Sequence, residues 1–295
     1  MFGRRFDGRT VKGADPVVKV TPYIMPMRCD AQVFLKHRVD MDKLSKFIRQ
    51  QKKECGQTVT YMQIIVAAYV RAISCNPKVN RFIMNKQTYV RNNCSVAFTI
   101  LKDPKDVDKG EAVVKIKFDL TDTLYDVRDR MEAAVEANRK PEEKSFVDKL
   151  LNVVFAVPGL VTVVVALVRL LDRYGLAPKV LIEELPFYVS MYITNVASIG
   201  LHEVNHHLYN WGDVSMFLGM GVPETDTVMA DGVPTTKRYL PIGITADERI
   251  CPGAVYGQFF SDFRRFINHP EQLLVPPEHV EFDEGLEYHE PKVSR

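Results

Sequence analysis

The feature with the strongest hold on what this chain can fold into is an uncharged stretch, Leu150–Val168, flanked by Lys144, Lys149, Arg169 and Arg173. About 18 such residues suffice for a helix to cross a bilayer. Here Pro158-Gly159 interrupts the run in its middle and valine dominates the rest, leaving half-segments of about ten residues, too short to span. Strand-like segments of soluble character lie on both sides. The run is expected to form a buried helical hairpin or a subunit contact, and it also admits a hairpin lying on a membrane surface.

The rest of the chain fits an ordinary globular protein. Of 295 residues, 46% are apolar and 26% charged, which excludes a disordered tail and a disulfide mini-protein. The net charge of +2 gives no basic stripe for nucleic acid. The cationic bias is confined to Arg4, Arg5, Arg9 and Lys12, so residues 1–14 are expected to be a basic, flexible arm. The five cysteines are odd in number and lack C-x-x-C spacing. No disulfide framework and no metal site are expected. No secretory pattern opens the sequence, and the expected location is cytoplasmic, with membrane association open through the apolar run.

Periodicity gives a mixture of helices and strands. Residues 1–30 read as irregular, because Asp15-Pro16, Thr21-Pro22 and Met25-Pro26 each disfavour helix before the proline. Ala31–Asp40 alternates as a strand. Residues 41–54 and a segment from Thr58 or Thr60 to Ser74 show helical spacing, and Asn76-Pro77 ends the second. Strands are expected at 81–84, 88–90, 94–101 and 112–118, then a charged helix over 121–138 capped by Thr121 or Thr123. Further strands are expected at 187–194, 214–220, 227–230 and 239–245. A helix over 254–267 precedes a Pro/Glu-rich extended tail, 276–295. These elements imply an α/β sheet with helices packed on it.

Two segments carry a family resemblance. One is Tyr192-Ile193-Thr194-Asn195-Val196-Ala197-Ser198-Ile199-Gly200, followed by a strand over 213–221. The other runs from Pro241 through Asp247-Glu248-Arg249-Ile250-Cys251-Pro252-Gly253, followed by a helix ending in His269-Pro270-Glu271-Gln272-Leu273-Leu274. Their order resembles the catalytic core of the 2-oxo acid dehydrogenase dihydrolipoamide acyltransferases, with its S/T-N-x-G-x-x-G and D-H-R-x-x-D-G-A motifs. The resemblance covers about residues 15–140 and 183–275. It leaves about 140–182 as an apolar insertion in a core of 15–275, and the closest likeness is to stand-alone relatives without a lipoyl domain. It implies a chloramphenicol acetyltransferase-like two-layer sandwich, a mixed sheet with packed helices, assembled as a homotrimer with its site between subunits. The implied substrates are coenzyme A or acyl-coenzyme A and a second thiol, exchanged through a small-molecule thioester.

In that family a histidine acts as general base on the attacking thiol, and a Ser or Thr hydroxyl from the facing subunit stabilises the oxyanion. Carried over, the hydroxyl falls on Thr194, with Asn195 and Ser198 beside it. The histidine position holds Glu248 and the aspartate position Pro252, while Arg249 matches. Proton transfer from a thiol near pKa 8.5 to a carboxylate near 4.3 is uphill by about 3 kcal/mol more than transfer to histidine near 6.5, a rate loss on the order of a hundredfold. Glu248 is thus a handicapped base, or else pairs with Arg249 or another nearby cation. The motif is degenerate, which leaves open an inactive trimeric scaffold or regulator. Cys251 lies in the same loop, where anionic Glu248 opposes thiolate formation. His206 and His207 imitate a paired-histidine signature but follow the Thr194 strand, and are expected to bond loop carbonyls, line a subunit contact or reach into the channel.

Overall fold

The computed structural model describes residues 5–101, 110–139, 154–230 and 232–284. Among these residues, strands β2 (Gln32–Asp40), β5 (Cys94–Leu101), β6 (Glu111–Phe118), β7 (Met191–Asn195), β8 (Met216–Met220) and β10 (Val233–Asp247) form one sheet in the order β2-β10-β8-β7-β5-β6, and β9 (Glu224–Ala230) pairs with the first half of β10. The pairs β5–β7 and β7–β8 are parallel and the rest antiparallel. A smaller sheet, β1-β4-β3, is built from Gly8–Thr10, Gln87–Arg91 and Arg81–Met84. The α/β class with a mixed sheet and packed helices is thus confirmed.

Helices α2 (Met41–Cys55), α3 (Tyr61–Cys75), α4 (Leu124–Arg139) and α7 (Gly253–Asn268) cover one face. The strand period of two decides which side chains meet them. Met191 and Ile193, Met216 and Leu218, and Ile242, Ile244 and Ala246 enter the main core with α3 and α7. Helix α3 is buried from Gln63 to Ser74, which accounts for its apolar side chains lying all round rather than on one stripe. A reciprocal capping box starts it: Thr60 Oγ1 accepts from Gln63 N, and Gln63 Oε1 accepts from Thr60 N.

The opposite face of the sheet holds a smaller cluster of Ala97, Tyr192, Phe217, Leu208 and Val214. The segment 201–209 crosses this face against the backbone of β8 and β10. Glycine permits the approach: a Cβ at Gly219 would lie 2.7 Å from the Val204 carbonyl oxygen, and one at Gly243 2.5 Å from the same atom.

Several expectations are corrected. Pro16–Ile24 is a helix (α1), because Pro16 occupies its first turn, where a missing N–H costs nothing, and the Asp15 carboxylate caps Val17 N at 2.8 Å. Residues 5–14 are not a loose arm. Gly8–Thr10 pairs with β4, and buried Arg5 forks onto Asp7 at 2.8 Å and reaches Asp172 at 2.7 Å. The described part of the tail, 276–284, has no helix or strand, and it is pinned: Asp283 accepts two 2.6 Å bonds from Arg81, and Glu281 N donates to Ser74 O. Residues 140–153 and 285–295 lie outside the described residues, as do parts of the insertion and tail expectations.

The apolar run continues into helix α5 (Leu160–Arg173), followed by the short α6 (Lys179–Glu184). Apart from Val154, its described part is not buried in the chain. Phe155 is 68% exposed, Val163 64% and Leu170 51%. No helix among the described residues is long and apolar enough to cross a membrane. The end of the insertion is tied to the sheet by Lys115 on β6, whose Nζ donates to the carbonyls of Ile182 at 2.7 Å and Leu185 at 3.3 Å.

Two outcomes are expected. Gly243→Ala should destabilise by about 1–3 kcal/mol in urea unfolding, as segment 203–205 is forced off the sheet. For Lys115, burial lowers the ammonium from 10.5 to about 8. The native state therefore sheds this proton before the unfolded state does, and stability due to this group rises with pH between about 8 and 10.5. Lys115→Met should flatten the stability–pH curve in that window; superimposable slopes would refute this assignment.

Candidate active site

The turn that closes β10 is built around a buried carboxylate. Asp247 is fully buried and accepts Arg249 Nε at 2.8 Å and Arg249 Nη2 at 2.7 Å, with Arg249 N at 3.2 Å. Arg249 Nη1 continues to the Met25 carbonyl at 3.0 Å. Arg28 lies 3.6 Å from the same carboxylate. The Asp247 backbone holds its neighbours too: its N–H donates to Ser215 O, and its carbonyl accepts the Tyr256 hydroxyl at 2.7 Å. Asp247 and Arg249 thus hold the shape of this turn, and the arginine of the pair is occupied inside its own chain.

Glu248, between them, points outward. It is exposed, while its backbone N–H bonds Ala31 O at 2.9 Å. The two expectations for Arg249 and Glu248 therefore separate: Arg249 pairs with Asp247, and no ion pair joins it to Glu248 among the described residues. Cys251 is buried, and burial pushes its thiol up to about 12, which makes it a packing residue rather than a nucleophile. Pro252 is the N-cap of α7, in extended geometry and with no side-chain cap bond.

Thr194 stands near the end of β7, followed by a single 3-10 turn, Val196–Ile199, that ends at Gly200 in the left-handed region (φ 77°). The Ser198 hydroxyl donates to Asn195 O at 2.7 Å and closes that turn. Thr194, Asn195 and Ser198 line one open cleft of about 670 Å³, with walls from Phe98–Leu101, the start of α3 and the inner side of α4. Its charged lining is Glu111, Glu132, Glu136 and Arg139, an acidic balance. The structure thus brings these three residues together.

It does not bring them to Glu248. Thr194 pairs with Gly219, and Gly219 with Gly243. Two strand spacings across and the four residues from Gly243 to Asp247 along β10 separate the two ends by roughly 16 Å. In one chain Thr194 and Glu248 occupy opposite ends of the sheet. His206 and His207 are apart from both. The His206 ring stacks on Phe217 at 4.0 Å and on His207 at 4.7 Å, and Nδ1 contacts the His207 carbonyl at 2.8 Å. This is the loop-carbonyl arrangement. His202 instead meets Glu224 at 3.4 Å, near Glu203, which Lys36 pairs at 2.9 Å. A second cavity, about 570 Å³, adjoins Arg249 and was missed by sequence reasoning. Its residues come from five separate segments, and no spacing pattern links them.

Residues 188–275 match the family model of the 2-oxoacid dehydrogenases acyltransferase catalytic domain. No curated protein matches the chain in sequence. Among solved structures, a probable dihydrolipoamide acetyltransferase from Listeria monocytogenes is similar at a TM-score of 0.53 and 13% identity, covering 88% of this chain and 93% of that one. The dihydrolipoamide acetyltransferase of Azotobacter vinelandii gives 0.53 and 14%, covering 90% and 94%. A chloramphenicol acetyltransferase gives 0.52 and 12%, covering 88% and 99%. The chain has the chloramphenicol acetyltransferase-like fold of the dihydrolipoamide acyltransferase cores, and its segment 188–275 carries the sequence pattern of their catalytic domain.

The buried carboxylate and its exposed neighbour should respond differently to neutralisation. Asp247→Asn leaves Arg249 and Arg28 buried without a counter-charge and is expected to cost about 3–5 kcal/mol. Glu248→Gln should stay within about 0.5 kcal/mol of the parent. Urea unfolding of both variants checks the pair.

Proposed function

We propose that this chain is a coenzyme A-dependent acyltransferase-like protein whose site forms where the Thr194 end of one copy meets the Glu248 end of another, in a homotrimer. The observation that carries this reading is the placement of Thr194. It lines an open cleft, and its hydroxyl makes no hydrogen bond to another described residue. A free hydroxyl is what an oxyanion requires. The separation of the two ends within one chain supports an inter-subunit site, because one copy alone cannot apply both groups to one substrate.

The proposed step is acyl exchange between two thiols. Glu248 takes the proton of the attacking thiol as its sulfur adds to the thioester carbonyl. The Thr194 hydroxyl donates to the resulting oxyanion. The tetrahedral adduct then expels the other sulfur, which receives the proton back from Glu248. No metal takes part in this reading.

A second reading is a catalytically inactive scaffold or regulator at a membrane surface. It is favoured by the exposed apolar face of α5 and by the loss of the motif histidine and aspartate at Glu248 and Pro252. Thioester exchange with coenzyme A separates the two readings. Exchange by the parent, reduced about a hundredfold by Thr194→Ala, is expected for an enzyme. Exchange that appears only after Glu248→His with Pro252→Asp marks a scaffold with an intact channel. Neither coenzyme A binding nor exchange in any variant overturns acyl transfer altogether.

A further inference from the structure

The 570 Å³ cavity beside Arg249 is lined by five cations, Arg28, Lys86, Arg169, Arg173 and Arg249, against a single carboxylate, Asp172. That carboxylate is already spent. One oxygen accepts Arg5 Nη2 at 2.7 Å and the other the Tyr188 hydroxyl at 2.7 Å. Asp247 behind the wall is held by Arg249. Arg249 and Arg28 share that carboxylate, and the uncompensated charge facing the cavity is that of Lys86, Arg169 and Arg173. Among the described residues, Arg169 and Arg173 make no hydrogen bond or ion pair, and Lys86 meets only the ring of Tyr23.

Arg28 adds a cation to the inner wall. It is only 5% exposed, its Nε faces Asp247 Oδ2 at 3.6 Å, and Nη1 and Nη2 donate to the carbonyls of Tyr209 at 2.6 Å and Ile83 at 3.1 Å. Burial, and then the neighbouring Arg249 and Arg91, weaken its hold on a proton against the pull of Asp247. Converging guanidinium groups repel one another in a low-dielectric wall, and an anion relieves that repulsion. Guanidinium forks match phosphate oxygens in geometry as well as charge. The wall is fixed rather than improvised: Lys86 sits on a tight β3–β4 turn with Asn85 (φ 49° and 62°), and Trp211, bonded to Tyr188 at 3.1 Å, supplies a flat side.

We infer that this cavity binds a phosphate-bearing ligand, a phosphate monoester or diphosphate, gripped between Lys86 on the β3–β4 turn and Arg169 and Arg173 on α5, with Arg28 in the wall behind. The inference does not rest on acyl transfer: neither Thr194 nor Glu248 lines the cavity, and two of its cations belong to the insertion, outside the segment that matches the family.

The test uses the full chain and its Arg169→Ala/Arg173→Ala variant, both positions exposed. Calorimetric titration with sodium pyrophosphate should show saturable binding by the parent, weakened about tenfold or more in the variant. Variant-sensitive pelleting with vesicles of phosphatidylcholine and phosphatidic acid, and not with phosphatidylcholine alone, would place the phosphate on a lipid and still support the site. Absence of binding in both assays overturns the inference. So does binding that the double substitution leaves unchanged. Neither result touches thioester exchange, which is measured separately.

Discussion

The Asp247 carboxylate is the point on which the rest of the structure hangs. It lies where the central strand β10 turns into α7, and it is bonded on both oxygens by a guanidinium two residues away. Such a chelate is short-range in sequence, so it forms with the turn itself. Its reach is long: through Arg249 it holds the end of α1 at Met25, through its own backbone it holds β8 at Ser215, and through Tyr256 it orients α7. A charge this deep is tolerable only when every neighbour is in place. The pair therefore specifies one arrangement of four elements more than it adds net stability.

That same turn keeps its shape without a contribution from the Glu248 side chain, which is exposed. The turn's geometry comes from Asp247, Arg249 and the extended Pro252, whose fixed φ (−61°) suits the residue before α7. Glu248 is exposed, so its identity is free of packing constraint.

Local periodicity made most of the fold legible. Helices α2, α3, α4 and α7 and most strands fall within a few residues of the ends that apolar spacing and turn residues mark, because each signal lies inside the element it describes. Proline misled at 15–26: Asp15-Pro16 reads as a breaker but serves as cap and first turn of α1. The N-terminal arm read as loose because its partners are remote; Arg5 finds Asp172 across 167 positions. Thr194, Asn195 and Ser198 line one cleft because they lie within five residues on one strand end and turn. The cationic cavity was not legible, because Arg28, Lys86 and Arg173 meet only once the chain is folded.

The two cavities carry opposite charge, and this bears on how any anionic substrate would approach. The Thr194 cleft presents three glutamates and one arginine. The cavity at the far end of the sheet presents Lys86, Arg169 and Arg173 unpaired, beside Arg28 and Arg249, which share Asp247, and one occupied carboxylate, Asp172. Coulomb forces near a protein surface reach several ångströms before salt screens them, so a polyanion is drawn to the Glu248 end and repelled from the Thr194 end. If copies join with these ends facing, an acidic surface meets a basic one, and electrostatics then favours the head-to-tail contact over any pairing of like ends. A contact between different patches of the same chain closes into a ring only at particular rotations, and in any such ring each Thr194 end meets one Glu248 end. In such a ring the charge asymmetry of a single chain fixes the direction of the contact.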